Sequence, residues 1–202
     1  MKHATLVAAI INGLLISQSF GQSEIIVLEP SAETTIEGEI DGVSEENLED
    51  SRLLLKFNFS SLPDGARIQY AGLILSDEMG LPWNIPHVPV LAGVITDEWD
   101  ESSASWDGPS NGESWNSPGG DWDPAVTSYK VLVRDARTPG KIVITDMARK
   151  WLSGSKDNNG IIVMVVDPAE VTDALNYFNL SALTPRLQIR YFLPDQDAEI
   201  EG

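Results

Sequence analysis

The sequence predicts an all-β fold, a jelly-roll-like β-sandwich with one short helix. Three observations predict it. At least seven short apolar or alternating stretches recur along the chain, each bounded by Pro, Gly, Asn or Asp. No long amphipathic helix separates them, which argues against a βαβ arrangement. One stretch alone, KIVITDMARKWLSGS, carries helical spacing.

In order, SEIIVLEP (Ser23–Pro30) is an apolar run stopped by proline, and Arg52–Ser60 has a period of two. There Leu53, Leu55, Phe57 and Phe59 fall on one face, with Arg52, Leu54, Lys56 and Asn58 on a mostly polar one. Leu62–Gly65 (LPDG) is a turn with Pro second and Gly last. Strands are expected again at Ala66–Ser76, Val88–Trp99, Tyr129–Asp135, Gly160–Asp167 and Pro185–Phe192. In the helix, Thr145 or Asp146 caps the start and Gly154 closes the end. Met147, Ala148, Trp151 and Leu152 form its apolar face, with Trp151 anchoring it across an open end of the sandwich. Ser31–Ser51 and Asp100–Ser128 read as irregular; the second holds four Gly, three Pro and three Trp. A loop this long in a compact domain is expected to be functional or mobile.

Residues 1–21 read as a secretory signal peptide, with a basic start, the apolar run Ala4–Ile16 and small residues Ser19 and Gly21 before the cut. The remainder has no apolar run long enough to span a bilayer, so a secreted, extracellular or periplasmic protein without membrane insertion is expected. Residues 22–193 make one domain, and 194–202 an acidic tail expected to be disordered.

The chain holds no cysteine, and outside residues 1–21 its one histidine is His87. A Cys–His triad and a His/Cys zinc site are excluded, and no G-x-S-x-G elbow is present. The formal charge of −18 disfavours nucleic acid and anionic lipid. Asp97, Glu98, Asp100, Glu101 and Asp107 crowd one segment, but crowded acids lack the fixed pair that glycoside hydrolysis requires. No catalytic residue is assigned.

Calcium takes six to eight oxygens, and Asp121, Asp123 and Asp157 are the best local sources, without the spacing of an EF-hand. Asp157–Gly160 reads more simply as a tight turn, with Asn-Gly at its centre. Sugar binding needs an exposed aromatic face beside hydrogen-bonding groups. Trp115 and Trp122 lie among Gly, Pro, Ser, Asn and Asp and are the stacking candidates, followed by Trp83; each also reads as packing for its loop.

Four segments in order resemble the DNRLRE, or disaggregatase-related, domain family. They are the strand leading into Leu62–Gly65, the Trp99–Glu101–Trp106 segment, the helix ending Trp151–Gly160, and the final Pro185–Leu187–Tyr191 strand. The resemblance spans Arg52 to Phe192 and implies a jelly-roll-like accessory module of the carbohydrate-binding kind. It also implies that Trp99 and Trp106 form a clasp that defines the fold. The few basic residues count against direct binding of acidic polysaccharide. The expectation is a non-catalytic module contacting polysaccharide or surface glycan. The alternative is a structural or adhesive protein with a protein partner in a surface assembly.

Overall fold

The computed structural model describes residues 23–38, 51–75, 87–133, 141–166, 180 and 183–193. The segments 1–21 and 194–202, and Trp83, lie outside the described residues. The elements are β1 (Ser23–Leu28), β2 (Pro30–Glu37), β3 (Ser51–Phe57), β4 (Arg67–Ile74), β5 (His87–Ile95), β6 (Trp122–Val133), β7 (Lys141–Val143), α1 (Thr145–Leu152), β8 (Ile161–Val165) and β9 (Arg186–Phe192). They form two antiparallel sheets, β1-β9-β4-β7 and β2-β3-β8-β5-β6, packed as the expected all-β sandwich.

Alternation decides which side chains meet between the sheets. Leu53, Leu55 and Phe57 of β3, Val88, Val90, Ala92 and Val94 of β5, and Ile161 and Val163 of β8 face Ile68, Ala71 and Leu73 of β4 and Leu187, Ile189 and Tyr191 of β9. Single core residues here are fully buried, each worth roughly 1.5–3 kcal/mol relative to exposure.

Two strands appear where the sequence reads as irregular. The chain passes from β1 in one sheet to β2 in the other across Glu29, so Pro30 opens a strand instead of ending the ordered stretch. The polar sequence of β2 is tolerated because it is an edge, paired on one side by β3. Likewise β6 begins at Trp122, well before the expected Tyr129. Pro124 fits there because β6 is also an edge strand and the β5–β6 register shifts at Gly93/Val94.

The helix forms where expected, but neither Thr145 nor Asp146 caps it. Ile144 occupies the N-cap without a side-chain bond, and Thr145 is engaged with β4 instead: its Oγ1 accepts from the Ala71 amide at 3.0 Å. Gly154 does close the end, at φ +69°, donating to the Trp151 carbonyl. Met147, Ala148 and Trp151 are buried, with the Trp151 ring tilted 55° against Phe59, while Leu152 stays exposed. Arg149 donates to the Ile68 and Gln69 carbonyls, tying the helix to β4 where that strand's register shifts.

Candidate functional site

Leu54, placed by alternation on the polar face of β3, is fully buried. So are Ile36, Ile95 and Ile162, which share that outward side of the five-stranded sheet. Their cover is the connection between β5 and β6, residues 96–121, which lies over the sheet and contributes Trp99 and Trp115 to a second apolar cluster. The middle of the sheet is thus buried on both faces, which explains an apolar Leu54 at a position that reads as polar.

Each indole is fixed by its own hydrogen bond. Trp99 is 9% exposed and its Nε1 donates to the Asn159 carbonyl at 2.7 Å; the Asn159 side-chain Nδ2 in turn donates to the Thr96 carbonyl at 2.7 Å. Trp115 is 6% exposed and its Nε1 donates to the Ser105 carbonyl at 2.9 Å. An indole so enclosed offers no free face to a sugar, so the stacking role expected of Trp115 gives way to a packing role. Trp106 is half-buried beneath the Arg52 guanidinium and beside Gly119.

The acids of the segment serve the loop. Asp100 accepts from the Ser102 and Ser103 hydroxyls and from the Ser102 amide, which hold its carboxyl below the usual aspartate range. Glu101 reaches the neighbouring strand and accepts from the Glu33 amide of β2 at 3.0 Å. Burial, and then the charge of Glu101, push the Glu33 carboxyl above the ordinary glutamate value.

The three expected calcium ligands are not brought together. Asp121 accepts from the Asn116 amide at 2.6 Å, the Asn116 side chain at 2.9 Å and the Ser117 amide at 3.0 Å, tying off the end of the loop. Asp123 pairs with Lys156 at 2.8 Å and accepts from the Ala125 amide, both lowering its pKa. Asp157 is exposed. Among the described residues no three His, Cys, Asp or Glu side chains cluster to hold a metal ion.

Trp122 is placed differently from Trp115. It stands opposite Ile95 on the outward side of β6 and lies across Gly93 of β5, so close that a Cβ there would come 2.8 Å from the indole. Glycine is what allows the ring to lie on the backbone. Trp122 remains half-exposed. Further along the same side, Thr127 is exposed opposite Gly93, and Tyr129, 59% exposed, stands opposite Leu91. The result is an aromatic shelf at the β5–β6 edge with a hydroxyl between its two rings. Tyr129 was not singled out from the sequence, although the alternation Tyr129-Lys130-Val131-Leu132 carries its outward placement once Leu132 is taken as core.

No helix of the described residues is long and apolar enough to cross a membrane. In comparisons with known proteins, no family model and no curated protein matches this chain.

Proposed function

We propose that this chain is an exported, non-catalytic module of the DNRLRE kind that contacts extracellular glycan, using the outer β5–β6 edge of its five-stranded sheet. The observation that carries the reading is Trp122 lying across Gly93 with Tyr129 exposed on the same side. Pyranose rings stack on aromatic faces while their hydroxyls seek polar groups, and Thr127 and the Tyr129 hydroxyl lie along that edge. Asp100, Glu101, Glu113 and Asp121 of the covering loop are engaged in hydrogen bonds within the domain, which favours binding over hydrolysis by an opposed carboxylate pair.

A glycan array followed by affinity electrophoresis tests the reading. Tyr129→Ala should abolish retention with little change in melting temperature, since that ring is largely exposed. Trp122→Ala should abolish it too, at some cost in stability. No binding to any glycan, or binding indifferent to both substitutions, refutes the proposal.

A further inference from the structure

The opposite side of the sandwich has a different character. Along the outward side of the four-stranded sheet the register sets Ile25, Arg190 and Tyr70 in one row, and Val27, Gln188, Gly72 and Val143 in the next. Ile25, Val27 and Val143 are 56%, 47% and 53% exposed, three of the six large apolar side chains exposed among the described residues. Tyr70 lies over Gly72, where a Cβ would come within 2.9 Å of its ring, so the centre of the face is flat. Arg190 stands on the inner strand β9 between Ile25 and Tyr70, Arg67 pairs with Phe192 at one end of β4, and Lys141 on the β7 edge donates to Gln188 at 2.6 Å. Among the described residues no Asp or Glu points outward from these four strands. That is an unusual concentration in a chain with 13 cationic against 31 acidic side chains.

Exposed aliphatic side chains on the two edge strands, with arginine, glutamine and tyrosine on the strands between them, give this face the mixed composition of a protein contact surface. The complementary surface is present on the same chain. The layer over the other sheet exposes Glu98, Asp107 and Glu113, and none of these carboxylates is paired to a cation among the described residues.

We infer that the outer face of the four-stranded sheet docks the acidic 96–121 layer of a second copy of this chain. The two surfaces lie on opposite sides of the sandwich, so the contact is head-to-tail and does not close at two copies; it propagates as an open stack. The net charge of −18 on each copy opposes the contact at long range. At about 0.15 M salt, screening over roughly 8 Å removes most of that opposition while leaving the touching pairs. The residues that carry this inference, Arg67, Arg190, Asp107 and Glu113, are not those of the aromatic shelf, so its variants test it separately from the glycan reading.

Sedimentation velocity over a concentration series at that salt tests it. The chain should form a ladder of species extending past the dimer. Arg67→Ser with Arg190→Ser should weaken association about tenfold or more, and so should Asp107→Asn with Glu113→Gln. Mixing these two double variants should give a 1:1 pair that grows no further, since each keeps the surface the other has lost. A monomer at every concentration, a dimer that closes, or association unchanged in the variants overturns the inference. So does retention of the chain by an acidic polysaccharide gel that is lost on Arg67→Ser with Arg190→Ser while the chain stays monomeric.

Discussion

The Arg52 guanidinium carbon lies 4.8 Å from the centre of the Trp106 ring, and the same guanidinium donates to the Gly119 carbonyl at 2.9 Å. One side chain of β3 therefore holds both ends of a stretch of the covering layer. Gly119 completes the arrangement: its amide donates to the Trp106 carbonyl, and its φ of +88° is one that L side chains rarely adopt.

Gly119→Ala should be costly for two reasons. The left-handed backbone costs about 1–2 kcal/mol, and the new methyl group would sit 2.7 Å from the Trp106 ring. A total loss of about 2 kcal/mol or more is expected in urea melts. Arg52→Lys keeps the charge but loses the planar stack, and should cost about 0.5–1 kcal/mol.

Trp115→Ala should destabilise the fold by about 3–5 kcal/mol, the scale for emptying a large buried site. Trp99→Phe keeps most of the volume but leaves the Asn159 carbonyl without its donor, for a loss of about 1–3 kcal/mol. Thermal melts read both. A Trp115→Ala protein that melts like the parent would contradict the packing role.

The burial of Glu33, with the nearby charge of Glu101, makes stability depend on pH. A carboxyl raised by folding takes up protons more readily in the folded state, so its ionisation costs stability as pH rises from the unfolded value through the higher folded one. Glu33→Gln removes this cost, and should raise the melting temperature at pH 7 while changing it little at pH 3. Glu101→Gln retains an acceptor for the Glu33 amide and removes the repulsion. It should move the Glu33 titration, followed by carboxyl NMR, back toward the ordinary value of 4.5.

Asp123 has the opposite sign. Lys156 and the Ala125 amide lower its pKa, so its contribution is present above the ordinary aspartate value and disappears as pH falls through the lower folded one. Lys156→Met should move the Asp123 titration upward toward 3.8. The effect should shrink in high salt, since the pair is solvent-accessible.

The strands of the inner core were legible because burial on one side imposes a period of two, as in Leu53, Leu55 and Phe57. The helix was legible from the spacing of Met147, Ala148 and Trp151. Its cap was not, because Thr145 is engaged by a strand far away in sequence. β2 and the start of β6 were missed for a common reason: as edge strands they need neither apolar composition nor freedom from proline. The indoles mark the limit at the candidate site. Trp115 and Trp122 occupy similar polar, glycine-rich surroundings in sequence, yet one is enclosed and the other lies open on a strand. The difference comes from Ser105 and Gly93, neither adjacent in the chain.

The 96–121 segment is a third layer of the domain, and this constrains how the protein can change. Surface connections in sandwiches ordinarily lengthen and shorten freely. Here a shortened connection would bare Ile36, Leu54 and Ile162 together, an apolar sheet surface open to edge-to-edge and face-to-face aggregation. Descendants of this sequence that lose the layer must therefore acquire polar residues at those three positions in the same step. Sequence variation in the layer should be tied to variation on β2, β3 and β8, strands that it does not adjoin in the chain.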